Sequence, residues 1–281
     1  KVWDAVNEIA EMIHEVDPYH PVTTALAGLA AQDVELLRTR APALDFYSTQ
    51  VYGGIMGLDQ AMDKLGLTEP LMVTEWGTIG HWEVPSTHWQ APIELTSAEK
   101  AAQYVAGYEQ VIKANPGRII GAYAFLWGQK QERTPTWYGT LTETGDRTEA
   151  ADALQYIWQG AWPSNRAPKV RSIRLAGQTA HDNVVAETGT WLPAEVVALD
   201  AENEGLTYRW TVRPESQAKE VGGDPEVAPA PVPNLIKVAN NAKVAVLMPA
   251  EPGAYRLFVE VSDGAGGVGH ANLPFYVRDK N

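Results

Sequence analysis

The sequence contains no cysteine, which excludes disulfide bonds, thiol catalysis and cysteine-based zinc sites. It also lacks any run of about 18 apolar residues, so no segment is predicted to span a membrane. Basic residues are outnumbered, with 22 Lys and Arg against 35 Asp and Glu and a net charge of -13. Nucleic-acid binding needs clustered basic side chains, and this balance argues against it. We therefore expect a globular protein with neither a membrane span nor a nucleic-acid partner.

Phenylalanine is also scarce, with four Phe against ten Trp and eleven Tyr. Trp and Tyr combine an apolar ring with a polar atom, which suits the face of a sugar as well as a protein core. The 281 residues suggest one large domain or two ordinary ones. Because the chain begins at Lys1, without Met or a leader of charged then apolar residues, we expect a mature chain or a fragment.

Residues 1–162 alternate between helical and strand patterns. The first helix is predicted from the apolar spacing of Val2, Val6, Ile9, Ile13 and Val16. Further helices are predicted over residues 33–40, 58–65, 97–114 and 148–159, and strands over residues 21–26, 44–52, 71–75 and 119–127. Apolar strands that alternate with helices predict an α/β fold with a parallel sheet. Four βα units make half of a (β/α)₈ barrel, which is the predicted fold of this region.

The composition changes at residues 163–168, which are predicted to form a linker. Beyond it, residues 169–281 contain short β-patterned segments separated by turn signals. The segments cover residues 170–175, 184–186, 195–200, 206–212, 243–247, 255–263 and 270–278. This pattern predicts an all-β, immunoglobulin-like β-sandwich, with Trp210 in its inter-sheet core. Residues 206–210 and 253–264 resemble PKD-type or cadherin-like modules of secreted carbohydrate enzymes. The Pro-rich residues 225–233 are expected to form an exposed loop.

The segment P-L-M-V-T-E-W-G-T-I-G, residues 70–80, runs from a buried strand directly into Glu75. In a (β/α)₈ barrel, catalytic groups lie at the carboxyl ends of the strands. Tyr52 and Trp127 end two other predicted strands, so a barrel would bring all three to one rim. A retaining glycosidase needs a carboxylate nucleophile and a second carboxyl group as acid and base. We predict Glu75 as the nucleophile, oriented by Tyr52, with Trp127 stacked on the sugar. The alternative is a structural salt bridge at Glu75.

Four segments of residues 1–162 resemble the carboxyl-terminal half of the retaining (β/α)₈ glycosidases that include glycoside hydrolase family 2. Residues 17–22, D-P-Y-H-P-V, are similar to the family's link from the fourth helix to the fifth strand. Residues 44–52 resemble its sixth strand, which ends on a Tyr that contacts the nucleophile. Residues 70–77 resemble the seventh strand, P-x-x-x-[TS]-E-[YWF]-G, whose Glu is the nucleophile. Residues 121–127 resemble the eighth, which ends on the Trp of the sugar subsite. Gln50 departs from the family, in which Asn is common.

The resemblance also implies that the acid/base Glu follows an Asn at the end of a fourth strand, upstream of Lys1. Asn7-Glu8 has the required dipeptide but falls inside a helical pattern, on one face with Glu11 and Glu15, so Glu8 is predicted to be solvated. Four strands and the acid/base are therefore missing from the pattern. We expect a fragment of a longer enzyme, or a homodimer or larger homo-oligomer that buries the open side of a half-barrel.

Further aromatic and polar residues follow the predicted strand ends. Loops at this rim carry specificity, so substrate-binding roles are predicted for Trp76, Trp82, Gln129, Glu132 and Trp137. Loop packing is an equal alternative for Trp82. Glu132 could also be a second catalytic carboxyl, but an ion pair with Lys130 or Arg133 is the favoured alternative.

No cofactor and no metal is expected. The histidines in the loop after Glu75 lack the helical spacing of a zinc motif. Asp200, Glu202 and Asp263 could hold a calcium ion through their carboxylates. A solvated acidic loop is the favoured interpretation of these three residues.

The sequence thus favours a secreted or periplasmic retaining glycoside hydrolase that acts on an oligo- or polysaccharide. The main alternative is a non-hydrolytic carbohydrate-binding or assembly protein with a degenerate barrel site. In that case Glu75→Gln would leave sugar binding intact. A third possibility is a structural surface protein in which the β-sandwich mediates adhesion.

Overall fold

The computed structural model describes residues 1–218, 224–238 and 240–280, and the chain divides into two units. The first unit comprises Lys1–Gly77 and Ala106–Phe125, and the second comprises Thr78–Val105 and Leu126–Asn281. Each unit has its own sheet structure and is described separately below. The division into residues 1–162, a linker and residues 169–281 stays a prediction about independent domains.

The first unit contains a four-stranded parallel sheet with helices between its strands. In chain order its elements are α1 (Val2–Val16), β1 (Ala25–Ala27), α2 (Ala31–Arg40), β2 (Tyr47–Gln50), a 3₁₀ helix (Gly53–Gly57), α3 (Leu58–Lys64), β3 (Leu71–Trp76), the end of α4 (Ser97–Gly107), a π-helix (Tyr108–Ile112) and β4 (Ile119–Ala124). The sheet order is β1-β2-β3-β4, and every pairing is parallel. This confirms the predicted parallel sheet.

The strands are shorter than predicted at both ends of the sheet. Residues 21–24 precede β1 rather than forming it, because the Val22 N–H donates to the Asp45 carboxylate (2.6 Å) instead of to a neighbouring strand. β4 ends at Ala124, and only the Phe125 N–H still bonds to the sheet, at the Trp76 carbonyl oxygen (2.7 Å). Trp127 therefore lies beyond the strand in which the sequence predicted it.

The helices of the first unit differ in how much apolar surface they bury. α2 and α3 contribute buried side chains to the core, namely Val34, Leu37, Leu58 and Met62. α1 forms as predicted, but its one buried residue is Ala10. An apolar stripe of α1 is exposed instead, made by Val2, Ile9, Met12 and Val16. Since β1 and β4 also each lack a partner strand on one side among the described residues, this unit has two open sheet edges and one uncovered helix face.

The second unit contains most of α4, the helix α5 (Glu149–Gln159) and two four-stranded sheets. The strands are β5 (Lys169–Leu175), β6 (Val185–Glu187), β7 (Trp191–Leu199), β8 (Thr207–Pro214), β9 (Ile236–Lys237), β10 (Lys243–Leu247), β11 (Gly253–Ser262) and β12 (Val268–Arg278). The sheet orders are β5-β7-β10-β9 and β6-β12-β11-β8. The β6–β12 pairing is parallel, and the other pairings are antiparallel.

These two sheets pack face to face around an apolar core, as predicted for a β-sandwich. Val170 and Val246 of one sheet share a buried cluster with Leu257 and Phe275 of the other. Trp210 lies in the same cluster, and its indole N–H donates to the Asn241 carbonyl oxygen (2.9 Å). This confirms the predicted core position of Trp210. Residues 225–233 form a largely exposed loop without strand structure, which was also predicted.

A buried polar cluster holds the segment before α4 against the outer face of β12. The Glu94 carboxylate accepts hydrogen bonds from Lys100 Nζ (2.5 Å) and Asn272 Nδ2 (2.5 Å). It also accepts hydrogen bonds from the hydroxyls of Thr134 (2.6 Å) and Thr136 (2.9 Å). Burial acts to raise the pKa of Glu94, but the charge of Lys100 and these hydrogen bonds lower it to about 2. The cluster therefore contains a buried ion pair in which the Glu94 carboxylate accepts four hydrogen bonds.

Candidate active site

Glu75 is placed at the end of β3 by an irregularity in that strand. Between Val73 and Trp76, β3 carries one residue more than either neighbouring strand. An extra residue of this kind is a β-bulge, which locally re-aims side chains. The burial pattern shifts accordingly: Val73 and Trp76 are buried, whereas Thr74 and Glu75 between them are both partly exposed. The bulge thus lets a carboxylate occupy the end of a buried strand without entering the core.

Tyr52 is the direct hydrogen-bond partner of this carboxylate. Its hydroxyl donates to Glu75 Oε1 (2.5 Å), although Tyr52 lies two residues beyond the end of β2 and not within the strand predicted over residues 44–52. The Tyr52 ring meets the Phe125 ring edge-on, with centroids 6.1 Å apart and planes at 86°. Its carbonyl oxygen accepts the Ile55 N–H (3.1 Å), which ties the backbone to the following 3₁₀ helix. The donor to Glu75 is therefore held by packing and by backbone bonding.

The other carboxylate oxygen, Glu75 Oε2, accepts no hydrogen bond from the described residues. Glu75 also forms no ion pair within that part of the chain, so the structure does not show the alternative salt bridge. Gln50 is its cross-strand neighbour in β2. The site in the first unit is thus one partly exposed carboxylate, oriented through one oxygen and beside an amide.

Phe125 was not identified from the sequence as part of this arrangement. The available signal was an aromatic residue at the end of an apolar strand, two positions before Trp127. Its contact with Tyr52 depends on the order of β2, β3 and β4 in the sheet, which the local sequence does not contain.

Trp76 was predicted to line a sugar subsite, but it is a core residue with 2% of its surface exposed. The bulge turns it into the core, where it packs on Gly107. A Cβ added at Gly107 would lie 3.2 Å from the Trp76 ring and 3.4 Å from Ile55 Cγ2. Because the indole is enclosed in this way, it offers no face to a sugar in this structure.

Glu8 was excluded as a catalytic acid on sequence grounds, and it lies where the helical pattern placed it. It is exposed in the middle of α1 and not at a strand end. The adjacent Asn7 side chain is engaged in packing, since it donates to Glu11 (2.8 Å) and accepts the Ala43 N–H (2.9 Å).

The second unit holds the other predicted site residues, and Trp127 is the most accessible of them. It is 66% exposed, and its ring lies 6.3 Å from that of Trp158 at an interplanar angle of 43°. Trp158 is also exposed. An exposed indole pair of this kind can stack on an apolar sugar face.

Glu132 is engaged in a buried ionic contact within the second unit. Its carboxylate lies 2.6 Å from Lys130 Nζ and 3.3 Å from His81 Nε2. Burial acts to raise the pKa of Glu132, but the contact with His81 and the hydrogen bond from Lys130 lower it below the ordinary value. The favoured alternative for this residue, an ion pair with Lys130, is therefore the one that the structure shows.

The three remaining predicted substrate-binding residues differ in exposure: Trp82 is exposed, Gln129 is half-buried and Trp137 is buried. Trp82 is exposed and meets the His81 ring edge-on at 5.0 Å. Trp137 is 1% exposed, and its N–H donates to the Ile79 carbonyl oxygen (3.0 Å), so it packs in the interior rather than at a surface. Gln129 donates to the Pro135 carbonyl oxygen (2.9 Å) and thereby stabilises its own loop.

A cluster of three acidic residues in the β-sandwich differs by one residue from the three that were considered for calcium binding. Asp200, Glu204 and Asp263 can each bring one carboxylate oxygen within 4.8 Å of the others, and Glu204 takes the place predicted for Glu202. Burial first, and then the charges of Asp200 and Asp263, raise the pKa of Glu204. Exposed acidic groups of this kind are common without an ion. Among the described residues, no helix has the length and apolar character that crossing a bilayer requires.

No protein-family model and no curated protein matches this sequence. Among solved structures, the chain is similar to an α-L-arabinofuranosidase from Thermotoga maritima, at 11% identity and a TM-score of 0.41 over 97% of this chain and 61% of that one. A glycosyl hydrolase family 2 member from Bacteroides cellulosilyticus gives 11% identity and a TM-score of 0.35 over 99% of this chain and 47% of that one.

A third similarity concerns part of the chain. The PKD1 domain of Epp from Vibrio anguillarum gives 15% identity and a TM-score of 0.26, and covers 42% of this chain and 100% of that one. Because all three TM-scores lie below 0.5, none of these similarities establishes a shared fold or function. The chain spans less than two thirds of the length of the two enzymes.

Proposed function

We propose that this chain is part of a retaining glycoside hydrolase in which Glu75 is the nucleophile. The observation that carries the proposal is the hydrogen bond from the Tyr52 hydroxyl to Glu75 Oε1 (2.5 Å), at the carboxyl end of a strand in a parallel sheet. Reactive groups gather at this end of parallel sheets. The resemblance of residues 70–77 to the nucleophile strand of glycoside hydrolase family 2 supports the same role.

The proposed chemistry uses the two oxygens of Glu75 differently. Tyr52 holds Oε1, and Oε2 forms a bond to the anomeric carbon of the sugar while the bond from that carbon to the leaving oxygen breaks. A carboxylic acid donates its proton to the leaving oxygen and then accepts a proton from water, which attacks the anomeric carbon and releases Glu75. No residue of this chain is assigned as that acid/base, and the proposal places it on a further segment or a partner chain.

The first unit also has surfaces that suit completion by another half of a barrel. Its sheet has two open edges, and α1 exposes the stripe of Val2, Ile9, Met12 and Val16. Exposed edges and apolar faces normally pair or associate. We propose that a second set of βα units covers them, from the same protein or from a second copy. If a second copy supplies these units, static light scattering should show a homo-oligomer for this chain, and a monomer at all concentrations would contradict completion by a second copy.

The test of hydrolysis uses substrates that bypass the unassigned acid. Dinitrophenyl glycosides release a phenolate that needs no protonation, so attack by Glu75 alone should produce a burst of about one dinitrophenolate per chain. The burst should vanish in Glu75→Gln and persist in Glu8→Gln, which changes an exposed carboxyl on α1. A burst that survives Glu75→Gln, or no burst with any glycoside of a broad panel, would refute the assignment.

A non-hydrolytic carbohydrate-binding role is the second candidate, favoured by the exposed pair of Trp127 and Trp158. Under this alternative the chain binds oligosaccharides without any burst, and Glu75→Gln leaves the dissociation constant unchanged. Trp127→Ala weakens binding. We propose a secreted or periplasmic location under both candidate functions.

A further inference from the structure

The outer face of one sandwich sheet carries an apolar groove that lies outside every site considered above. The groove has a volume of about 790 Å³ and runs over β7, β9 and β10. We call it the Trp191 groove and define it by Trp191, Pro193, Glu195, Lys237, Lys243 and Ala245.

The strand register explains why a groove forms on this face of the sheet. On β7, the outward positions alternate with core positions such as Ala194 and Val196. Pro193 pairs with Ala245 of β10, and Ala245 pairs with Lys237 of β9. Ala245 is the smallest side chain in this row, and it leaves space between Pro193 and Lys237 at the bottom of the groove. Trp191, opposite Leu247, closes one end of the groove.

Trp191 presents its ring to solvent at this end. The residue is 51% exposed, although it lies within a regular strand whose inner face is buried. A large apolar ring left exposed beside a groove is a common feature of ligand-binding surfaces. A flat indole face of this kind matches the C–H face of a pyranose ring.

The charges along the groove favour an anionic ligand. Lys243 lies 3.5 Å from Glu195 and forms the one ion pair of the groove among the described residues. Lys237 forms no ion pair with the described residues, and its ammonium lies 5.9 Å from the centre of the Trp191 ring. Two cations, Lys237 and Lys243, therefore face one anion, Glu195, in the groove of a chain whose net charge is -13. The excess of positive charge is local and lies beside the exposed ring.

We propose that the Trp191 groove binds an acidic polysaccharide, with a uronate residue stacked on Trp191 and its carboxylate paired with Lys237. The charge complementarity selects uronates over neutral sugars, and the open groove suits a chain rather than a single residue. This site does not depend on Glu75 and would serve either candidate function by holding the protein on a charged glycan.

The test is calorimetric titration of the full chain carrying Glu75→Gln, so that no ligand is cleaved. Oligogalacturonate should bind and neutral cello-oligosaccharide should bind at least about tenfold more weakly, which corresponds to about 1.4 kcal/mol. Trp191→Ala should abolish measurable binding. Lys237→Gln should weaken it and flatten its dependence on salt, because the ion pair is screened. Val197→Ala, which removes an exposed side chain of the same strand outside the groove, should leave binding unchanged.

Several outcomes would overturn the proposal. These are no binding of oligogalacturonate, equal binding by Trp191→Ala, or equal affinity for the neutral oligosaccharide. Loss of binding in Trp127→Ala instead of Trp191→Ala would place the ligand elsewhere. A change of oligomeric state in Trp191→Ala would show that a second copy covers this face. Thermal melting of each variant separates these results from misfolding, and the exposed position of Trp191 predicts little loss of stability.

Discussion

Glu149→Gln should make the second unit more stable at neutral and alkaline pH. Glu149 is the first residue of α5 and is 6% exposed. The Ser97 hydroxyl donates to Glu149 Oε2 (2.7 Å), and the Val170 N–H also bonds to the carboxyl group. Burial raises the pKa of Glu149 to about 7, although these hydrogen bonds and the charges of Lys169 and Arg166 act to lower it.

The magnitude follows from that pKa. The folded state holds the proton more tightly than the unfolded state, whose pKa is 4.5. The stabilisation is therefore fully present below pH 4.5, is lost as the pH rises to about 7, and stays lost above that pH. A difference of about 2.5 pKa units corresponds to a loss of about 3 kcal/mol in the free energy of unfolding. Gln cannot ionise and keeps an oxygen for one hydrogen bond, so this loss should disappear in the variant.

The assay is urea unfolding of both proteins at a series of pH values from 4 to 8, followed by circular dichroism. The quantity of interest is the difference in the free energy of unfolding between variant and wild type at each pH, because other groups titrate as well. His270, for example, has its pKa lowered to about 3 by burial and gives both proteins a stability that falls below pH 6.5. Glu251→Gln, at an exposed position of the same unit, is the matched control. Parallel stability curves for wild type and Glu149→Gln across this range would refute the reasoning.

Three further predictions concern single contacts. Tyr52→Phe removes the hydrogen-bond donor to the Glu75 carboxylate, a bond worth about 1.5–3 kcal/mol, and should lower the rate of the dinitrophenolate burst by at least about tenfold. An unchanged rate would show that Tyr52 has no role in the site. Lys100→Met leaves Glu94 buried without its cation, so urea unfolding at pH 7 should show a loss of about 3–5 kcal/mol in the free energy of unfolding. This loss should shrink when Glu94→Gln is added, and additive losses in the double variant would contradict the pairing. Gly107→Ala places a methyl group 3.2 Å from the Trp76 ring and should cost about 1–3 kcal/mol by thermal unfolding, whereas no loss would show that the ring can move away.

The features that the sequence predicted well are those set by short periodic patterns. Apolar strands alternating with helices predicted the parallel sheet, and short β-patterned segments predicted the sandwich with Trp210 inside. The pairing of Tyr52 with Glu75 was predicted because the ends of neighbouring parallel strands meet at one edge. In each case the local pattern and the fold agree.

The features that the sequence did not predict depend on contacts with residues far away in the chain. The bulge in β3 is defined by its register with both β2 and β4, and it is what buries Trp76 and leaves Glu75 partly exposed. Glu94 is buried because Asn272, distant in sequence, completes its hydrogen bonds. The exposure of Val2 and Ile9 likewise reflects which elements are available to cover α1, which periodicity does not encode.

The most direct test of the central claim is covalent trapping of the nucleophile. An activated 2-deoxy-2-fluoro glycoside should form a stable ester with the attacking carboxylate, because the fluorine slows release of the sugar more than its transfer. Mass spectrometry of the digested protein should find the added sugar on Glu75, and the label should be absent from Glu75→Gln. A label on any other carboxylate, or an unlabelled protein after incubation with a broad panel of such reagents, would contradict the assignment of Glu75 as the nucleophile.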